Sequence, residues 1–138
     1  MKLQLLTKNQ QEIEGYKVVN VTDGKLNLSE IIDNQCEQIF APDVVDSFPL
    51  QNAQELISGI VSKLRLGGEI VIGGTDIRLF SKAVANGIMP YGDASTVICL
   101  SLSMSTPDMI AEVLQALNLK IENIHMNGIH YEVKAKRV

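Results

Sequence analysis

Residues Leu50–Leu64 carry the most restrictive pattern in the chain. Leu50, Ala53, Leu56, Ile57, Ile60, Val61 and Leu64 recur at helical spacing and form one apolar stripe. Ser47 and Pro49 suit the start of such a helix, Lys63 and Arg65 favour its negative end, and Gly67 supplies a stop. Before it, Cys36–Ala41 ("CEQIFA") reads as a strand, ended by Pro42, which has no N–H for a central ladder. After it, "GEIVIGG" reads as a buried strand flanked by glycines. A strand, a helix and a strand in this order imply a parallel pair joined by a right-handed crossover. The expected class is therefore α/β.

The flanking segments extend this unit. Leu3–Leu6 and Lys17–Val21 are short strand candidates, and little stands between them, so no full crossover helix is expected there. Asp23–Asp33 is mixed, with a turn or short helix near Ser29–Ile32. Beyond the glycine-flanked strand, Thr75 suits a helix cap and Asp76 its first turn. Ile77, Phe80, Ala83 and Val84 give that helix a stripe, and Gly87 ends it. Gly87–Ala94 reads as a loop, and Thr96–Leu102 as an extended segment or part of that loop. Thr106 and Pro107 open a last helix with Ile110, Val113, Leu114 and Leu117 on its face. Lys120–Met126 and Ile129–Lys136 then form two strands joined by Asn127-Gly128, a strong hairpin signal. In the second of these, Ile129, Tyr131, Val133 and Ala135 alternate with polar residues, so one face is buried and the other wet. The end of the chain thus makes the sheet mixed.

Composition narrows the function classes. At 138 residues the chain is expected to be one domain, residues 1–138, long enough to bury roughly two thirds of its unfolded surface. Aromatic residues are 4% of the chain and Trp is absent, so Ile, Leu, Val, Ala and Met must build the core. The net charge is −4 and the one basic run is the tail Lys134–Arg137, which argues against nucleic acid as a main partner. Cys36 and Cys99 show no paired or metal-like spacing, and both read as buried free thiols of a reducing compartment. No apolar run approaches the ~20 residues needed to cross a bilayer, and no signal peptide is visible, so a cytoplasmic protein without a membrane partner is expected.

The order of elements, with the stretch Cys36–Gly74, resembles the class I S-adenosylmethionine-dependent methyltransferases. Leu64-Arg65-Leu66-Gly67-Gly68-Glu69-Ile70-Val71-Ile72 looks like the "LkpGG.lvi" passage into that family's fifth strand. "DIRLFSKAVANG" and "TPDMIAEVLQALNLKIENIHMNGIHYEVKAKR" look like the helix that follows, the last helix and the closing hairpin. The resemblance implies a three-layer Rossmann-like sheet, mostly parallel, with an antiparallel C-terminal hairpin. It implies seven strands and a cofactor, S-adenosylmethionine, at the carboxyl ends of the strands.

The start of the chain matches the scaffold and departs from the motif. Compact members open with a strand, a glycine-bearing "LNLGCG" turn and "GyinvD" as second strand. Here Leu3–Lys8 and Gly15–Thr22 take those places, so the turn is Leu6-Thr7-Lys8-Asn9, with Leu6 and Lys8 where the family has glycine. Glycine permits positive φ and close approach of backbone to a ligand. Leu6 sets a branched side chain, and Lys8 a cation, where a sulfonium-bearing cofactor would lie. In the family the acid ending the second strand holds the ribose hydroxyls. Thr22 stands there, with Asp23 one residue on. By resemblance the cofactor-binding residues are Leu6, Thr7, Thr22, Asp23, Ala41, Pro42 and Asp43. Pro42 and Asp43 read more simply as a strand-ending turn, and no metal ligands are expected.

Other candidates have simpler structural readings. Asp46 reads as a solvated residue near a helix start, and Asp76 as an acid placed by the helix dipole. His125 and His130 are placed in the hairpin, away from the crevice. "GGTD" lacks the Lys-Ser/Thr of a phosphate loop, and Met89, Met104, Met109 and Met126 read as core filling. Two functions from different classes remain. One is a methyltransferase-like protein degenerate in cofactor binding, acting as a binding or oligomeric partner, for example as a homodimer. The other is an active methyltransferase on a small-molecule or glycan acceptor, with Asp43 or Asp76 as base.

Overall fold

Strand β1 (Lys2–Leu6) lies between β2 (Lys17–Asn20) and β3 (Cys36–Ala41), and all three run parallel. The long β4 (Leu64–Thr75) pairs parallel with β3 on the other side. It then takes β6 (His130–Arg137) antiparallel, and β6 takes β5 (Leu119–Asn127). The order is β2-β1-β3-β4-β6-β5, a mixed sheet with a four-strand parallel part and a C-terminal hairpin. This computed structural model describes residues 1–8 and 10–138, so Asn9 of the first turn lies outside the described residues. Among the described residues the sheet has six strands, one fewer than the resemblance implies.

The core lies on one face of the sheet. Leu3, Leu5, Ile39, Ile70, Ile72 and Val133 are fully or almost fully buried there. They meet Ile57 and Ile60 of helix α1 (Ala53–Val61), and Ile110 and Leu114 of a second helix over Pro107–Ala116. Each such side chain contributes about 1.5–3 kcal/mol on leaving water. On the other face Gln4 is buried, and its two polar atoms hold the connector between β1 and β2. Its Nε2 donates to Gln11 O at 2.8 Å and its Oε1 accepts from Ile13 N at 2.8 Å. A loop layer pinned by one glutamine covers β1 there, in the place where a crossover helix would lie.

The crossover helix is shorter than its stripe. Pro49 is extended (φ −57, ψ 141), Leu50–Asn52 makes one 3₁₀ turn, and α1 begins at Ala53. Leu64 already pairs with Cys36 as the first residue of β4. Gly67 is therefore not the helix stop. At φ +77 it provides the left-handed bend where β4 slips register against β3, between the pairs Cys36–Leu64 and Gln38–Glu69.

Helix α2 (Ile77–Ala85) follows β4. Its cap is Asp76 rather than Thr75, with the Asp76 carboxylate accepting from Arg78 N and Leu79 N at 2.8 and 3.3 Å. Thr75 remains in the strand, opposite His130. Helix α3 (Tyr91–Leu100) replaces the loop and extended segment expected from sequence. It buries only Ala94, so it has no apolar stripe for a sequence pattern to reveal. Cys99 lies on it and is exposed, whereas Cys36 is buried. Helix α4 (Pro107–Ala116) starts as expected, with Thr106 Oγ1 accepting from Met109 N at 3.2 Å. The hairpin turns one residue later than expected. Asn127 pairs with His130, and the loop is Gly128-Ile129 with only Gly128 left-handed (φ +62), a II′-like arrangement with glycine first. Among the described residues no helix is long and apolar enough to cross a membrane.

Candidate functional site

The four parallel strands end on one side of the sheet, and a cavity of about 430 Å³ opens there, bordered also by Val97 and Leu100 near the end of α3. Open α/β sheets bind ligands outside the carboxyl ends of their strands, where connections leave in different directions. Each wall of the cavity follows from local chemistry.

After β1, Thr7 and Lys8 line the cavity and Leu6 does not. Leu6 O accepts from Val21 N at 2.8 Å, which carries the β1–β2 pairing past the strand. After β2 the chain makes a tight turn. Thr22 N donates to Lys25 O at 3.2 Å and Lys25 N to Thr22 O at 2.9 Å, with Asp23 and Gly24 both left-handed at φ +50 and +68. An Asp-Gly pair at these positions is the signature of a type I′ turn, and it was present in the sequence to be read. The turn takes up the Thr22 backbone and brings Asp23, not Thr22, to the cavity wall.

After β3, Ala41 is fully buried in the core and Pro42 does not line the cavity. Asp43 does. It is left-handed at φ +59, and its N–H donates to Gly73 O at 2.9 Å. Its Oδ2 accepts from Gln10 Nε2 at 3.1 Å. Of the seven residues singled out by resemblance, the fold thus brings together Thr7, Asp23 and Asp43, and leaves Leu6, Thr22, Ala41 and Pro42 behind the wall.

Two cavity residues run against the sequence expectation. Asp46 is 5% exposed rather than solvated. Its Oδ2 accepts from Thr75 N at 2.7 Å, while its Oδ1 has no hydrogen-bond partner among the described residues. Burial pushes this carboxyl up to about 7. The Thr75 N–H opposes that rise and the neighbouring Asp43 adds to it. Spacing alone gave no sign of this, because the apolar residues around Asp46 read equally well as a helix approach. His130 also lines the cavity, since its pairing with Thr75 sets the start of β6 beside the carboxyl end of β4. His125, paired with Glu132 farther along the hairpin, is exposed and not in the cavity.

A small polar knot supports the floor. The Asp46 carbonyl accepts from Leu102 N at 2.8 Å and Ser103 N at 3.2 Å, which ties the end of α3 to the turn after β3. Tyr131 Oη lies 2.6 Å from Ser105 Oγ, and burial raises the phenol above its ordinary range. Gly74 passes between these groups. A Cβ there would stand 2.7 Å from Asp46 Oδ1 and 2.9 Å from Tyr131 Oη, so any larger residue would have to displace one of these side chains. Asp76 is buried but engaged in capping α2, and it does not line the cavity. The cavity therefore offers three carboxyl groups, one ammonium and one imidazole, beside the apolar Val97, Leu100 and Leu102.

In sequence, no family model and no curated protein matches the chain. In structure, it is similar to a SAM-dependent methyltransferase from Archaeoglobus fulgidus, with TM-score 0.61 and 16% identity over 99% of this chain and 86% of that one. It is similar to magnesium protoporphyrin IX methyltransferase from Synechocystis PCC 6803, a structure with bound SAH, with TM-score 0.61 and 13% identity over 89% of this chain. It is also similar to an O-methyltransferase family protein from Burkholderia thailandensis, with TM-score 0.62 and 14% identity over 87% of this chain. The chain spans 52% of the second protein and 36% of the third. The fold is that of the class I S-adenosylmethionine-dependent methyltransferases.

Proposed function

We propose that this chain is a methyltransferase-like binding protein, in which the carboxyl-end cavity serves recognition of a ligand or partner and not methyl transfer. The observation that carries this reading is the turn after β1. It holds Leu6 and Lys8 in place of glycines, and Lys8 lines the cavity. An ammonium at the cavity wall opposes a sulfonium bound there, since like charges repel. The Thr7 N–H, which a ligand at this turn would use, is taken by Gln10 Oε1 at 3.2 Å. On this reading the turn, as folded, does not hold S-adenosylmethionine, even with the carboxyl groups of Asp23 and Asp43 at the same cavity. A partner role is supported by the exposed Ile88, Tyr91, Ile98, Leu100 and Leu102 on and beside α3.

Calorimetry and thermal-shift measurement with S-adenosylmethionine and S-adenosylhomocysteine test the reading. No response at millimolar ligand is expected, and binding at micromolar concentration would overturn it. One observation favours the second reading, an active methyltransferase. Asp23 reaches the cavity, and a carboxylate there can accept from two ribose hydroxyls as Thr22 cannot. In that case Asp43, and not the capping residue Asp76, is the base. Transfer of a labelled methyl group to a small-molecule or glycan acceptor, lost in Asp23→Ala, would establish it.

A further inference from the structure

One side chain joins the turn after β1 to the turn after β3. Gln10 Oε1 accepts the Thr7 N–H at 3.2 Å, and Gln10 Nε2 donates to both Pro42 O and Asp43 Oδ2 at 3.1 Å. Gln10 belongs to the connector that Gln4 fastens to the sheet through Gln11 O and Ile13 N, so its backbone is held close to the cleft. The groups it engages sit at the carboxyl ends of two adjacent parallel strands. There an N–H on one side faces two oxygens on the other. A half-buried donor or acceptor left without a partner is unfavourable, so something must satisfy these groups when no ligand does. A carboxamide carries an acceptor and a donor on one carbon and meets both sides at once.

We propose that the Gln10 carboxamide is an internal ligand of this cleft. It makes the contacts that the head group of a small molecule would otherwise make, and it closes the β1–β3 end of the cavity. The competing head group is one with an acceptor beside a donor, as in a primary carboxamide. The inference rests on the reading that the chain does not bind S-adenosylmethionine as folded, and it supplies a cause separable from the missing glycines. The coupling follows from populations. If Gln10 leaves the cleft in about one molecule in a hundred, a ligand of the open form binds about a hundredfold more weakly overall.

The test uses the full chain and Gln10→Ala, titrated with S-adenosylhomocysteine by calorimetry. The wild type is expected to show no heat at millimolar ligand and the variant to bind on the order of 0.1 mM, the roughly hundredfold gain that the populations give, because S-adenosylhomocysteine has no sulfonium for Lys8 to oppose. If neither protein binds, the internal-ligand inference fails and the degenerate reading stands. If the wild type binds at micromolar concentration, the degenerate reading itself fails. A second readout follows the Thr7 and Asp43 amide resonances. Millimolar propionamide, which can refill the vacated cleft, is expected to move them in Gln10→Ala and not in the wild type, and equal responses would overturn the proposal. If Gln10→Ala does not fold, Gln10→Glu keeps the acceptor for Thr7 N–H but sets a second carboxylate against Asp43. It is expected to open the cleft in the same way, and wild-type behaviour in both readouts would overturn the proposal.

Discussion

Asp46→Asn isolates the energetic effect of one buried carboxyl. The group is 5% exposed, receives one hydrogen bond from Thr75 N, and has an oxygen with no partner among the described residues. In the folded chain it titrates at about 7, against 3.8 for a free aspartate. The folded state therefore holds the proton more tightly than the unfolded state. The stability linked to that proton is fully present below about pH 4 and is lost progressively as pH rises to about 7. A difference of about three pH units corresponds to on the order of 4 kcal/mol, large against the 5–15 kcal/mol typical of a domain. Asparagine keeps an acceptor for Thr75 N–H and has no charge to acquire. Urea unfolding at pH 5, 6, 7 and 8 should therefore show the wild type losing several kcal/mol relative to the variant. From about pH 8 the gap no longer changes, and the wild type's melting temperature has fallen relative to the variant's by about 3 °C per kcal/mol. If the two proteins follow parallel stability–pH curves, Asp46 is either solvated or charge-compensated, and the reasoning is refuted.

Two further substitutions probe the same region and its frame. Gly74→Ala should cost about 1–3 kcal/mol, because its Cβ would stand within 3 Å of Asp46 Oδ1 and Tyr131 Oη. Pairing it with Asp46→Ala should recover part of the loss, and strictly additive chemical-denaturation values would show that the clash is not with Asp46. Asp76→Ala removes the acceptor for two N–H groups of α2 and should cost about 0.5–2 kcal/mol, while Asp76→Asn should retain most of that stability. An equal loss in both variants would mean that the charge, and not the cap, matters.

The sequence by itself determined the frame. The Leu50–Leu64 stripe between two apolar runs dictated a parallel crossover, because a helix that buries one face must return the chain to the same sheet. The alternation Tyr131, Val133, Ala135 dictated a half-buried last strand, and all three are buried. Thr106-Pro107 and Asn127-Gly128 marked a helix start and a hairpin through local hydrogen bonding and φ preferences, which act within a few residues. Tertiary structure decided the rest. Asp46 and His130 became cavity residues through pairing with Thr75, a partner distant in sequence from both. The wall took Asp23 instead of Thr22 because a tight turn rotated it there. Helix α3 formed without an amphipathic signal because it buries almost nothing. Gln10 reached the cleft because Gln4, on the far face of β1, pins the connector that carries it. Local propensity sets which residues form strands and helices, but burial and the direction of a side chain depend on what the fold brings opposite it.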